Sequence, residues 1–88
     1  MRIPFFSKRF NDEALDQCVT ISLESDGLVD ASRIIVSSKE GVIKLNGRAR
    51  NLFEKKRVGN LALQGLDAAG LRYARLEDHV VVESQLMV

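Results

Sequence analysis

The stretch that decides the fold is EGVIKLNGRAR, residues 40–50, in which apolar and polar residues alternate between and beyond two glycines. Alternation with a period of two predicts a strand with one buried face. The face turned toward the core carries Ile43, Leu45, Gly47 and Ala49. The opposite face is mainly polar and basic, with Val42, Lys44, Asn46, Arg48 and Arg50. The short β-branched stretch ASRIIVSS, residues 31–38, predicts a partner strand immediately before it.

The turn between these strands sets which side chains of the first strand join the core. A two-residue turn at Glu40-Gly41 pairs Val36 with Leu45 and buries Ile34 and Val36, whereas a three-residue turn at 39–41 buries Ile35 instead. We expect the two-residue turn, because it buries more aliphatic surface and a buried face specifies register strongly. It requires a positive φ at both turn residues.

Both glycines of the opening stretch are predicted to serve the fold. Gly41 supplies the positive φ of the tight turn. Gly47 points inward, where a missing side chain lets a helix or a neighbouring backbone segment approach. No glycine-rich lead precedes a helix after a strand in the way that a phosphate-binding loop requires.

Two helices flank the hairpin. The stretch NDEALDQCVTISLES, residues 11–25, predicts a helix capped by Asn11 or Asp12, with Leu15, Cys18, Val19 and Leu23 at roughly helical spacing and Asp26-Gly27 ending it. Residues 51–70 predict a second helix, in which Asn51 and Glu54 resemble a capping box and Gly70 is the C-cap. Its predicted apolar face is Val58, Leu61, Ala62, Gly65 and Ala69.

The segment LRYARLEDHVVVE, residues 71–83, predicts a final strand that is interrupted near residues 77–79. The fold class is therefore α+β: a single small domain in the order α-β-β-α-β, with two helices packed on one face of a three-stranded mixed sheet. The expected organisation is an N-terminal arm at 1–10, the domain at 11–84 and a C-terminal tail at 85–88.

Composition narrows the classes of protein. The chain has 88 residues, which leaves room for one small domain, and its net charge is +1. It has one cysteine, which excludes a scaffold held together by internal disulfides. No apolar run is long enough to span a membrane. The opening MRIPFFSKRF is too short and too charged for a signal peptide. The sequence as given therefore predicts a cytoplasmic protein, or a periplasmic one if a signal peptide has been removed.

Charge is concentrated in the middle of the chain, where residues 31–60 carry eight bases and two acids. Such a block predicts an anion-binding surface, and the alternative is a solvated face that protects a strand edge from pairing. Basic residues at the start of a helix oppose its dipole, which favours a functional role. The candidate lipid- or anion-binding residues are Lys44, Arg48, Arg50, Lys55, Lys56 and Arg57.

The element order and three motifs resemble the BON domain, the bacterial OsmY and nodulation domain, over residues 12–83. The motifs are GVIKLNG at 41–47, the charged run and apolar face EKKRVGNLA at 54–62, and AAGL at 68–71. The sequence departs from the family's Val-x-Asn-x-Leu ending, where Ala74, Leu76 and Asp78 stand. The resemblance implies a non-catalytic module, usually periplasmic or membrane-associated, that binds phospholipid surfaces.

The remaining residues offer little chemistry. No nucleophile, base and acid can be assembled from the spacing, so we expect no enzyme, no cofactor and no metal site. Cys18 is expected to be buried and inert, and His79 to lie at the surface or in a turn. A nucleic acid is not expected, because the first two strands lack aromatic residues for stacking.

The expected partner is an anionic phospholipid surface or a membrane-associated protein. The alternative is a protein–protein or self-assembly module that uses a sheet edge or the patch of Ile35 and Val42. The oligomeric state stays open. The aromatic and basic residues of the N-terminal arm, Phe5, Phe6 and Phe10 with Arg2, Lys8 and Arg9, fit either an interfacial anchor or a segment docked on the core. Phe53 fits either a cover for the core or an exposed wedge.

Overall fold

A computed structural model describes residues 10–83. The elements are helix α1 (Asp12–Glu24), a 3₁₀ turn (Ala31–Arg33), strands β1 (Ile34–Lys39) and β2 (Val42–Ala49), helix α2 (Leu52–Ala69), and strands β3 (Arg75–Asp78) and β4 (Val81–Val82). The predicted α+β order, α-β-β-α-β, is confirmed, with β3 and β4 together forming the last strand. The predictions for the arm before Phe10 and for the tail at 85–88 lie outside the described residues.

Helix α1 begins where the sequence predicts. The Asn11 side chain accepts a hydrogen bond from the Ala14 N–H and caps the first turn. Leu15, Val19 and Leu23 are buried on one face, as expected. The predicted stop at Asp26-Gly27 is wrong in detail: the helix ends at Glu24, and its C-cap Ser25 has right-handed backbone angles.

The hairpin confirms the preferred register. Strands β1 and β2 pair antiparallel with Val36 opposite Leu45 and Lys39 opposite Val42. Glu40 has φ of 51° and Gly41 has φ of 82°, as a primed two-residue turn requires. The Asp12 carboxylate accepts hydrogen bonds from the Glu40 N–H at 2.7 Å and the Gly41 N–H at 2.9 Å. The start of α1 therefore binds the turn directly, which stabilises the positive φ of Glu40.

The start of the first strand differs from the prediction. Residues 31–33 form a 3₁₀ turn, capped by the Asp30 side chain, and β1 begins only at Ile34. Gly47 explains the close approach at this point: it has φ of 129°, and a Cβ there would collide with the Arg33 carbonyl oxygen. The predicted role of Gly47, to let a neighbouring backbone approach, is confirmed.

Helix α2 is capped at both ends as predicted. Asn51 accepts a hydrogen bond from the Glu54 N–H at 2.8 Å. Gly70 takes the left-handed conformation, with φ of 67°. The capping box is altered, because the Glu54 carboxylate accepts from the N–H of Arg50 rather than from that of Asn51.

The apolar face of α2 is predicted only in part. Val58 and Ala62 are fully buried, and so is Leu66, which is not part of the predicted face. Ala69 was placed on this face and is exposed instead. Gly65 faces Ser22 and Cys18, so the missing side chain brings α2 close to α1 rather than to the sheet. Val58, Ala62 and Leu66 follow one another at i+4 spacing, so they form one buried stripe along the helix, and Ala69 lies outside it.

Strands β3 and β4 form the edge of the sheet on the side of β2 opposite β1. Strand β3 pairs parallel with β2, Val42 lying opposite Arg75, and β4 pairs parallel with the end of β2, Ala49 lying opposite Val82. Both segments keep the same offset from β2, so the interruption at 79–80 changes no register. The sheet is thus mixed, as predicted, with its path running β1-β2-β3.

The core lies between the helices and one face of the sheet. Its fully buried large side chains are Leu15, Val19, Leu23, Ile43, Leu45, Val58 and Leu66. These come from α1, β2 and α2. The opposite face of the sheet therefore carries the residues that alternate with Ile43 and Leu45.

A candidate anionic-surface site on the open sheet face

The outer face of the sheet is left uncovered by residues 10–83. Along β1, residues alternate between half-buried and exposed, and along β2 the buried Ile43 and Leu45 alternate with the exposed Lys44 and Asn46. Ile35 is 67% exposed on this side. We call this surface the open face, and define it by the outward side chains Ile35, Ser37, Lys39, Val42, Lys44, Asn46, Arg48, Arg75, Glu77 and Val81.

The open face is basic. Strand pairing places Lys44 beside both Ser37 and Glu77, and Arg48 beside Val81. Its bases are Lys39, Lys44, Arg48 and Arg75, and its acid is Glu77. Within the described part of the chain, Arg75 is paired with that acid, and no ion pair engages the other three bases. The face therefore presents a clear excess of positive charge in a nearly neutral protein.

Glu77 is held by two neighbouring side chains, those of Arg75 and His79. Arg75 Nε donates to one carboxylate oxygen at 2.7 Å, and His79 Nε2 lies 3.2 Å from the other. The hydrogen bond from Arg75, then that from His79, lower the pKa of Glu77, and the charges of Arg75 and Lys44 add to the effect. The carboxylate is thus ionised at neutral pH and orients its neighbours. It reduces the positive charge of the face without cancelling it.

The six predicted site residues do not share one surface. Lys44 and Arg48 lie on the open face. The other four belong to the helical side, which covers the opposite face of the sheet: Arg50, Lys55, Lys56 and Arg57. The expectation that all six face a single anionic surface is therefore not met.

Three of these four bases are engaged in ion pairs. Lys55 Nζ lies 3.2 Å from Asp78 and donates to the Val80 carbonyl at 2.7 Å. Arg57 pairs with Asp26 at 2.7 Å, and this bond lowers the pKa of Asp26. Of the α2 cations, Lys56 alone has no ion pair among residues 10–83. These contacts join elements of the domain, and their charges largely cancel.

Arg50 belongs to a structural cluster around Glu54, which is only 3% exposed. The carboxylate of Glu54 accepts from the Arg50 N–H at 2.6 Å and from the Asp30 N–H at 2.8 Å. The Arg50 guanidinium also donates to it, at 3.2 Å, and to the Leu28 carbonyl at 3.1 Å. Burial by itself raises the pKa of Glu54, but these hydrogen bonds and the Arg50 charge outweigh it and bring the pKa to about 2.

Two bases of the open face, Lys39 and Arg75, are not among the candidate residues predicted from the sequence. Lys39 follows from the preferred hairpin register, since it alternates with Ile35 and Ser37. Arg75 needs the parallel pairing of β3 with β2, which no local pattern specifies. Both bases extend the positive surface around Lys44.

The helical side carries a different surface. A shallow depression of about 320 Å³ is lined by Phe53, Lys56, Arg57, Asn60, Leu61 and Gln64. Phe53 is 62% exposed, so it does not cover the core. The depression mixes apolar, amide and cationic groups and has no buried polar group directed into it.

Cys18 lies at the contact between the two helices, near Gly65. Cys18 is half-buried rather than fully buried and packs against the core. Between Phe10 and Glu83, no three metal-binding side chains of the His, Cys, Asp or Glu type come together. None of the helices in this part of the chain has the length and apolarity to cross a bilayer.

No protein-family model matches the sequence, and a search of curated proteins finds no match.

Proposed function

We propose that this protein is a non-catalytic binding module, similar to BON domains, that associates with anionic phospholipid surfaces through its open sheet face. The observation that supports the proposal is the uncovered face on which Lys39, Lys44 and Arg48 form no ion pair among the described residues. A flat array of bases fits a lipid surface, which presents many anionic groups in one plane.

The expected affinity follows from the charges. Each basic residue near an anionic membrane contributes about 1 kcal/mol, so the three bases that form no ion pair within residues 10–83 contribute about 3 kcal/mol. Ile35 and Val81 are exposed beside them and add some apolar contact. Binding of this size is weak and reversible. It decreases strongly at high salt, because exposed charges are screened within a Debye length.

The helical side fits such a surface less well. Arg50, Lys55 and Arg57 are each held by a carboxylate of the domain. A lipid phosphate would have to compete with these contacts, and the displaced carboxylates would then repel the membrane. Charge complementarity therefore favours the open face.

The test is co-sedimentation of the protein with vesicles that contain phosphatidylglycerol, at low and at high salt, with phosphatidylcholine vesicles as a control. We expect binding only to the anionic vesicles and only at low salt. The double variant Lys44→Glu, Arg48→Glu replaces two attractions by two repulsions, which removes about 4 kcal/mol and abolishes binding.

The matched control is Lys56→Glu, a single charge reversal on the exposed side of α2. It changes the net charge but not the open face, so it should reduce binding only slightly. If the parent protein ignores anionic vesicles at low salt, the lipid proposal fails. If Lys56→Glu weakens binding as much as the double variant, the open face is not the contact surface.

A further inference from the structure

The two edges of the sheet differ in their protection against pairing with another strand. The β3–β4 edge is interrupted at residues 79–80, and β3 carries the charged side chains of Arg75, Glu77 and Asp78. Edge strands that are short, broken and charged resist pairing. By contrast, β1 runs unbroken from Ile34 to Lys39, has no proline, and carries its single charge at the end that meets the turn.

The outward backbone groups of β1 have no partner in the described part of the chain. Lys39 and Val42 flank a two-residue turn, so their backbone groups point toward each other. Backbone direction alternates along an antiparallel pair, so Ser37 and Ile35 also direct their backbone groups toward β2. Val36 and Ser38 direct theirs away from the sheet, and neither N–H donates to another group within residues 10–83. The Ile34 N–H also points outward but is already bonded to the Ala31 carbonyl. Within residues 10–83, a row of backbone donors and acceptors is thus open along β1.

We propose that β1 pairs antiparallel with β1 of a second copy of this chain, with Val36 of one copy opposite Val36 of the other. In this register, each Val36 N–H donates to the Val36 carbonyl of the other copy, and each Ser38 N–H donates to the Ile34 carbonyl. The pairing uses the Val36 and Ser38 N–H groups of both copies. It does not require the Ile34 N–H, which is bonded to the Ala31 carbonyl.

The side chains of β1 are complementary to themselves in this register. The strand reads Ile-Ile-Val-Ser-Ser-Lys, so Val36 separates an aliphatic pair from a serine pair. Reversal about Val36 places Ile34 opposite Ser38 and Ile35 opposite Ser37, so that each bulky side chain faces a small one. Lys39 then approaches Arg33, whose charge is already paired with Glu83 at 3.0 Å. Because the strand is complementary to itself, a second copy of this chain fits the edge of β1 better than an unrelated peptide does.

The dimer forms one continuous sheet. Its two-fold axis stands perpendicular to the sheet, so both open faces lie on the same side. This arrangement doubles the basic surface available to one membrane, a consequence that rests on the proposed function. The dimer itself does not depend on the proposed function. Since a pair of six-residue strands buries less than the roughly 1,000 Å² of a stable interface, association in solution is weak.

The test is sedimentation velocity without lipid, at protein concentrations up to about 1 mM, the range in which a weak dimer populates. We expect association that increases with concentration. Ser38→Pro removes an outward N–H at a position where an edge strand tolerates proline, and should weaken association at least about tenfold. Ser38→Ala is the matched control: it loses only the hydrogen bond from Ser38 Oγ to Asp16, at 2.7 Å, and should associate like the parent.

A monomer at about 1 mM would overturn the proposal, as would a folded Ser38→Pro variant that associates like the parent. If Ser38→Pro does not fold, amide hydrogen exchange on the unmodified chain decides. Exchange of the Val36 and Ser38 amides should slow as concentration increases. Fast exchange at every concentration would show an unpaired edge. Slow exchange in a monomer would show that a segment of the same chain covers the edge, and either result would contradict the dimer.

Discussion

Replacing Glu54 by glutamine tests the main polar contact between α2 and the rest of the domain. The carboxylate is almost fully buried, and each of its oxygens accepts one backbone N–H, from Arg50 and from Asp30. Glutamine has the same shape but a single acceptor oxygen. Its amide N–H₂ would face one of these two donors, which leaves a buried N–H without a partner.

The magnitude follows from the pKa of Glu54. In the folded protein, the pKa is about 2, below an ordinary value of 4.5. One pKa unit corresponds to 1.36 kcal/mol, so the ionised form stabilises the fold by about 3 kcal/mol at neutral pH. Because the folded-state pKa is lowered, this stabilisation is complete above pH 4.5 and is lost as the pH falls toward 2.

Denaturant titrations at pH 7 and near pH 3 measure this effect. Glu54→Gln should lower the free energy of unfolding by about 2–4 kcal/mol at pH 7, and by clearly less near pH 3. Glu24→Gln, an exposed position in the last turn of α1, is the matched control and should change stability by less than about 0.5 kcal/mol. A loss below about 1 kcal/mol at pH 7, or the same loss at both pH values, would refute the reasoning.

Two glycines and the cysteine give further predictions. Gly41→Val should lower stability by about 1–3 kcal/mol in denaturant titrations, because a β-branched residue resists the positive φ of the turn; an unchanged midpoint would contradict the turn assignment. Gly47→Ala should also destabilise, since its Cβ would meet the Arg33 carbonyl, whereas Gly27→Ala, where a Cβ meets no atom within 4 Å, should be nearly neutral. Cys18 should react with a thiol reagent more slowly in native buffer than in denaturant, and equal rates would show that it does not pack against the core.

The hairpin could be predicted because local and tertiary requirements agree there. The alternation around Ile43 and Leu45 specifies a buried face, and a two-residue turn at Glu40-Gly41 turns two aliphatic side chains of the first strand toward the core rather than one. The structure has that register. A positive φ is uncommon for a residue such as Glu40. Here it is stabilised by Asp12, 28 positions earlier in the chain, which accepts hydrogen bonds from the N–H groups of Glu40 and Gly41.

Other parts of the fold depend on contacts that local patterns do not contain. Leu66 is buried and Ala69 is exposed, because the side of α2 that turns inward is set by its packing in the folded domain and not by the local sequence pattern. The buried Glu54 was assigned to a capping box, and its bond to the Asp30 N–H appears only when the loop after α1 folds against α2.

The sequence identified the basic segment that contributes to the candidate site, but not which of its bases lie on the open face. The block at 31–60 contains Lys39, Lys44 and Arg48, three of the four bases on the open face. It also contains Arg50 and Arg57, whose carboxylate partners, Glu54 and Asp26, could not be assigned from spacing alone. Net charge along the chain therefore located the basic region but did not distinguish free bases from paired ones.

The central claim is that the open face, and not the helical side, contacts anionic lipid. The chain contains no tryptophan, so single-tryptophan variants report on each side separately. Ile35→Trp places the fluorophore on the open face, and Leu63→Trp places it on the solvent side of α2; both native side chains are exposed, at 67% and 42%. On addition of phosphatidylglycerol vesicles at low salt, the account predicts a blue shift of tryptophan emission for Ile35→Trp, reversed by high salt, and none for Leu63→Trp. A shift for Leu63→Trp without one for Ile35→Trp would contradict it.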